Sequence, residues 1–83
     1  MAKAVKTRHQ LELMIAAEVR HHPHCQGFKS ISLYYSIFED PQGGVVNWLP
    51  SVRYYGDANE GACEAALREI IPRLQRQYDM EEE

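Results

Sequence analysis

The fold of this chain is decided by residues 30–54, which read SISLYYSIFEDPQGGVVNWLPSVRY. From Ser30 to Phe38 every second residue is apolar or aromatic, which is the period of two that a half-buried β-strand shows. Val45 to Tyr54 is rich in β-branched and aromatic residues and predicts a second strand. Between them, Asp40-Pro41-Gln42-Gly43 has the residue preferences of a type I turn. We therefore expect an antiparallel β-hairpin.

The turn also predicts the register of the two strands. If Glu39 pairs with Gly44, one face of the hairpin is strongly apolar and is expected to pack into the core. Pro50 removes a backbone donor, which suits an edge strand. The pairs expected on the core face are Ile31–Val52, Leu33–Pro50, Tyr35–Trp48 and Ile37–Val46.

The opposite face of the hairpin predicts an interaction surface. The same register places Tyr34 opposite Leu49 and Phe38 opposite Val45, with Asn47 pointing outward between them. A two-stranded hairpin leaves both edges unpaired, and its first strand contains no proline. We expect a homodimer in which first strands pair into a four-stranded sheet and bury this surface or its rim. A partner protein is the other occupant that such a surface suits.

A helix is predicted on each side of the hairpin. Thr7-Arg8-His9-Gln10 fits a capping box, and Pro23 disfavours helical dihedrals before it, so the first helix spans about 8–21. The second helix opens at 57–60, where Asp57 or Asn59 provides the cap, and Pro72 either kinks it or begins a separate short helix. The apolar stripes at helical spacing are Leu11, Met14, Ile15 and Val19, and then Cys63, Ala66, Leu67, Ile70, Leu74 and Tyr78.

The element order is α-β-β-α, which predicts one α+β domain over residues 1–83 with the hairpin packed against two helices in two layers. The ordered core is expected at about 7–78, with frayed termini that include Met80 to Glu83. No apolar run is long enough to cross a bilayer, and the positively charged start lacks the apolar stretch of a secretory signal. Two cysteines without C-x-x-C spacing favour a reduced, cytoplasmic protein. Because no apolar run is long enough, we expect no membrane contact.

The densest cluster of metal-ligand residues is His21, His22, His24 and Cys25, which suits zinc or copper. Its spacing matches no established zinc pattern, and the alternative is a solvated helix end at which cationic histidines favour the helix dipole. We therefore expect no cofactor and keep a metal-binding module as the alternative. Cys25 is predicted to be a partly buried structural thiol, and Cys63 to lie in the core.

Nucleic-acid binding is a further alternative that the charge of the chain disfavours. The formal net charge is −3, although residues 1–38 carry +3 against −6 in the remainder. Basic side chains beside Tyr34 or Phe38 would hold a single strand by phosphate contact and stacking. The candidate cations are Lys3, Lys6, Arg8, Arg20 and Lys29.

No catalytic motif occurs in the chain. It contains no phosphate-binding loop, serine elbow or zinc-protease motif, and no two carboxylates fall in one predicted cleft. A domain of 83 residues also has little room for a pocket of several hundred Å³. We therefore expect a non-enzymatic protein.

Three stretches carry a resemblance to known proteins. Through Cys25-Gln26-Gly27-Phe28, Asn47-Trp48 and Ile71-Pro72-Arg73-Leu74 the chain resembles small bacterial α-β-β-α proteins of unknown function. The resemblance implies a compact domain and carries no activity. The double-stranded-RNA-binding domain has the related order α-β-β-β-α. This chain has one predicted strand fewer, and its last helix begins with acidic rather than basic residues, namely Glu60, Glu64 and Glu69.

Overall fold

The computed structural model describes residues 3–41 and 44–81, which form two α-helices and four β-strands. A long antiparallel hairpin and a short parallel pair of strands accompany the helices, so the predicted α+β class is confirmed. The predicted order omitted the first and last strands. In chain order the elements are β1 (Ala4–Lys6), α1 (Arg8–Arg20), β2 (Ser30–Glu39), β3 (Val45–Tyr54), α2 (Glu60–Gln77) and β4 (Tyr78–Met80).

Helix α1 begins at the predicted capping box. The Thr7 hydroxyl accepts a hydrogen bond from the Gln10 amide at 3.1 Å, and the Gln10 side chain accepts one from the Thr7 amide at 2.9 Å. The helix ends at the cap residue His21, shortly before Pro23. Its buried side chains are Leu11, Ile15, Ala16 and Val19, and Met14 is only partly buried.

Helix α2 is one continuous helix. Asn59 is its N-cap and accepts a hydrogen bond from the Ala62 amide at 2.9 Å. Pro72 lies inside the helix and does not begin a separate one. Because proline has no amide proton, the helix gives up one backbone hydrogen bond at this position.

The central register of the hairpin is as predicted. Leu33 pairs with Pro50, Tyr34 with Leu49, and Tyr35 with Trp48. The predicted turn extends over Gln42 and Gly43, which lie outside the described residues. Next to it, the Asp40 amide donates to the Gly44 carbonyl at 3.0 Å.

Both ends of the predicted register are wrong by one residue because the ladder contains two irregularities. Val46 pairs with Phe38 rather than with Ile37, and Ile31 pairs with Arg53 rather than with Val52. The second irregularity follows Pro50, whose missing amide cannot continue a regular ladder. One extra residue in a strand moves the following side chains to the other face. Arg53 is thereby brought to the face that carries Ile31.

Near both ends, the described residues form the parallel pair of β1 and β4. Ala4 pairs with Tyr78 and Lys6 with Met80, and the Glu81 amide donates to the Lys6 carbonyl at 2.7 Å. Met80 is only 3% exposed, so the prediction that it belongs to a loose tail is wrong. Strand residues therefore lie outside the range 7–78 on both sides.

Side chains from both helices, from the hairpin, from the loop before it and from β4 form the core. Helix α1 packs against β2 and α2, and α2 packs against β3 and β4. Trp48 and Cys63 are fully buried, as predicted, and Cys25 is fully rather than partly buried. The largest fully buried side chains are Trp48, Phe28, Leu11, Ile15, Leu74, Val19 and Val46.

Candidate functional site

Exposed apolar side chains concentrate on the hairpin. Among the described residues, six of the eight exposed large hydrophobic side chains lie on β2 and β3. We call these six the hairpin patch. Ile37 is 64% exposed and Val45 is 54% exposed, which is unusual for β-branched residues in the strands of so small a protein. The hairpin patch comprises Tyr34, Tyr35, Ile37, Val45, Val52 and Tyr54.

The structure changes the membership of the predicted interaction surface. Tyr34 and Val45 are exposed, whereas Phe38 and Leu49 are half-buried. Sequence reasoning assigned Tyr35, Ile37 and Val52 to the core face, but the core extends over only part of the hairpin. The sequence prediction assumed a regular ladder and therefore missed the two irregularities that change which side chains are exposed. Pro50 was the sequence signal for one of these irregularities.

Asn47 does not belong to the exposed surface, so its assignment there is wrong. Its side-chain amide donates to the Met80 carbonyl and accepts from the Met80 amide, both at 2.8 Å. The neighbouring Trp48 indole donates to the Tyr78 carbonyl at 3.0 Å. Gln75 completes the attachment by donating to the Trp48 carbonyl at 2.9 Å. These side chains hold β4 against β3 and engage both the donor and the acceptor end of the Asn47 amide within the chain.

The first part of the β2 edge is occupied by helix α1. The Glu12 carboxylate accepts a hydrogen bond from the Leu33 amide at 2.9 Å. Arg20 donates to the carbonyls of Phe28 and Lys29 at 2.7 and 2.6 Å. Backbone groups that an additional strand would need here already have partners, and this protects a sheet edge against pairing.

The His21–Cys25 loop does not gather its candidate ligands. His21 and His24 are exposed, His22 is half-buried, and Cys25 is fully buried beneath them. His24 adopts a left-handed backbone conformation with φ of 66°, and its carbonyl accepts a hydrogen bond from the Asn59 amide at 2.9 Å. Within residues 3–41 and 44–81 no three His, Cys, Asp or Glu side chains come together as a metal site. The geometry does not support the metal-binding alternative.

The two cysteines meet in the core. Both thiols are free and fully buried, and Cys25 is close enough to influence the ionisation of Cys63. Burial raises the pKa of the Cys63 thiol to about 11, and the contact with Cys25 and the charges of Glu64 and Glu60 act in the same direction. A nucleophilic cysteine needs a lowered pKa and access to its substrate, so the arrangement around Cys63 fits a packing role.

Three of the candidate nucleic-acid cations make contacts within the chain. Lys3 lies 3.5 Å from the Asp79 carboxylate, and Lys6 lies over the Tyr78 ring at 5.8 Å from its centre. Arg20 holds the carbonyls before β2, as described above. These three side chains therefore make internal contacts, whereas Lys29 is exposed. No helix in the described part of the chain has both the length and the apolar character of a membrane span.

Comparisons with protein-family models, with curated proteins and with solved structures find no match for this chain. The resemblance to small bacterial α-β-β-α proteins stays a prediction. The function of the chain is accordingly inferred from its own surface and contacts.

Proposed function

We propose that this chain is a non-enzymatic interaction module that forms a homodimer through its β-hairpin. The observation that carries the proposal is the hairpin patch, which holds six of the eight exposed large hydrophobic side chains of the described residues. Apolar side chains gathered in this way mark an interaction surface, whereas scattered ones need no explanation.

The proposal includes a two-layer arrangement in which both helices cover one face of the hairpin. The contacts of α1 with β2 and of α2 with β3 support it. The burial pattern supports it as well, because Ile31, Leu33, Val46 and Trp48 are buried while Tyr34, Val45 and Val52 are exposed. In this arrangement the uncovered face is free to pack against a partner.

The size of the hairpin patch suits a dimer. Tyr35 shares the face of its buried partner Trp48, and from ordinary side-chain areas the other five members expose roughly 500 Å² per copy. A standard specific interface buries about 800 Å² on each partner, and the half-buried Leu49 and Phe38 beside the patch supply further area. A domain of 83 residues has a thin stability margin, so burying this surface between two copies also stabilises the fold.

Charge complementarity favours a second copy of the chain as the partner. Lys29 precedes β2 and Glu39 ends it, and both residues are exposed. When two hairpins pack with antiparallel long axes, Lys29 of each copy approaches Glu39 of the other. Twofold symmetry makes the contact twice, which is the self-complementarity that a homodimer interface needs.

The proposed contact is between hairpin faces rather than along whole edges. Glu12 and Arg20 occupy the beginning of the β2 edge, so pairing of two first strands is confined to residues 34–39. This limits the four-stranded sheet that the sequence suggested, while it leaves the hairpin patch available.

Sedimentation analysis across the micromolar range tests the dimer. The expected mass is twice the 9.6 kDa of the chain. Val45→Glu combined with Val52→Glu places unpaired carboxylates in the interface, which raises the dimer Kd at least about 100-fold. Leu13→Glu is the matched control, because Leu13 is 56% exposed on α1 and lies outside the hairpin. A clean 9.6 kDa monomer for the unchanged chain would overturn the proposal.

A charge exchange tests the orientation of the two copies. Lys29→Glu alone and Glu39→Lys alone each place like charges together and weaken the dimer, with a larger effect at low salt. The double variant restores the pairing with its sign reversed and regains affinity. Equal weakening in the single and double variants would contradict the antiparallel arrangement.

A further inference from the structure

A groove between α2 and β3 lies apart from the hairpin patch. Its volume is about 240 Å³, and it opens to solvent. The buried side chains of Leu67 and Ile71 form its floor, and Pro50 and Pro72 contribute rigid apolar walls. The groove therefore offers a preformed apolar surface for a small ligand.

The hairpin irregularity after Pro50 brings Arg53 to this groove. Arg53 Nη1 donates to the Ser51 carbonyl at 2.8 Å, and Arg53 Nε lies 3.3 Å from a Glu64 carboxylate oxygen. Among the described residues, Arg53 Nε is nevertheless buried without a hydrogen bond. The ion pair with Glu64 therefore leaves this N–H without a well-directed hydrogen bond, which is uncommon for a buried donor. Irregularities of this kind commonly redirect a side chain toward a binding site.

A second guanidinium completes the charge pattern of the groove. Arg68 lines the groove from α2 and is exposed. Within residues 3–41 and 44–81 it makes no hydrogen bond or ion pair, so its donors are available. The carboxylate of Glu64 is shared between the Tyr55 hydroxyl at 2.7 Å and Arg53. Two arginines against one carboxylate leave the groove with a net charge of +1.

We infer that this groove binds a small amphipathic carboxylate, with an apolar body on the Leu67–Ile71 floor and its carboxylate between Arg53 and Arg68. Planar guanidinium groups bind carboxylates through paired hydrogen bonds. The volume is below the 300–1,000 Å³ of pockets for drug-sized ligands, so the ligand has roughly eight to twelve non-hydrogen atoms. The inference does not depend on dimer formation, because none of the residues that line the groove belongs to the hairpin patch.

A titration with hexanoate, followed by the arginine Nε–H and backbone amide signals in nitrogen-15 NMR spectra, tests the site. We expect the Arg53 Nε–H signal to shift with a Kd on the order of 1 mM, as suits so small a ligand. Hexanamide has the same apolar body without the charge and should bind about tenfold more weakly, since hydrogen bonds to ionised groups are the stronger ones. Acetate retains the carboxylate but lacks the apolar body, and it should bind more weakly than hexanoate.

Variants separate recognition by the groove from general attraction of an anion. Arg68→Gln should weaken hexanoate binding about tenfold and leave the fold unaffected, because Arg68 is exposed and has no partner among residues 3–41 and 44–81. Arg76→Gln removes the same charge from the same helix outside the groove and should leave the Kd unchanged. Equal binding of hexanoate and hexanamide, an unmoved Arg53 Nε–H signal, or an unchanged Kd in Arg68→Gln would each overturn the inference.

Discussion

Replacing Asn47 by alanine removes the side chain that fastens β4 to β3. In the native chain this amide both donates to the Met80 carbonyl and accepts from the Met80 amide, at 2.8 Å each. The side chain thus pairs with Met80 as a neighbouring strand would. No other side chain in the described residues hydrogen-bonds to the Met80 backbone.

The expected loss of stability follows from these two hydrogen bonds. Each contributes about 1 kcal/mol net, and a partly buried Met80 amide and carbonyl left without partners add to the cost. We expect Asn47→Ala to lower the free energy of unfolding by about 2–3 kcal/mol. For a domain of this size, 1 kcal/mol corresponds to roughly 4–8 °C, so the Tm falls by about 10–20 °C.

Urea and thermal unfolding followed by circular dichroism measure the loss, and hydrogen exchange at the Met80 amide locates it. The Met80 amide should exchange faster in Asn47→Ala through local opening of β4. The α1 amides should still exchange only when the whole domain unfolds. Ser36→Ala on β2 is the control, because Ser36 makes no side-chain hydrogen bond in the described part of the chain. It should change stability by less than about 0.5 kcal/mol. A similarly small change for Asn47→Ala, or an unchanged Met80 exchange rate, would refute the proposed attachment.

Two further predictions concern alkaline stability and backbone conformation. Because the pKa of Cys63 is raised from 9.0 to about 11, the protonated thiol's contribution to folding stability is fully present below pH 9 and is lost as the pH rises through 11. Urea unfolding should show that the free energy of unfolding falls by up to about 3 kcal/mol over this pH range, and that it falls less steeply with pH in Cys63→Ala. The same pH dependence in both proteins would contradict the raised pKa of Cys63. Gly56 has φ of 59°, and an added Cβ would lie 2.5 Å from the Gly27 carbonyl oxygen. Gly56→Ala should therefore destabilise by more than 1 kcal/mol. Gly61→Ala, within α2 and with ordinary space, should stabilise by up to about 1 kcal/mol. Equal Tm changes for the two glycine variants would disprove the conformational argument.

The sequence by itself determined the elements whose signals are local. The Thr7–Gln10 capping box fixes the start of α1 through residues three positions apart. For α2 the sequence offered Asp57 or Asn59 as the cap, and the structure uses Asn59. The period of two and the turn residues determined the centre of the hairpin, including the Tyr35–Trp48 pair. Local hydrogen-bond chemistry and side-chain spacing are properties of short stretches, so they can be read without knowledge of the remaining chain.

The candidate surface was only partly predictable. Tyr34 and Val45 were expected to be exposed because a regular ladder places them on the face of the hairpin that points away from the core. Asn47 was misassigned because its partner Met80 lies 33 positions away and shows no pattern that links the two. Ile37 was assigned to the core because a regular period of two does not show the irregularity between Tyr35 and Phe38, after which Phe38 rather than Ile37 pairs with the buried Val46.

Tertiary structure alone decided the β1–β4 pair, the direction of Arg53 and the groove that it lines. A strand of three residues is too short to show a period, and β1 and β4 meet only when the two ends of the chain come together. Arg53 turns toward α2 because the ladder loses its regularity after Pro50, and one extra residue is enough to exchange the faces of a strand. These features depend on contacts between distant segments, and their energies arise only after the local elements have packed.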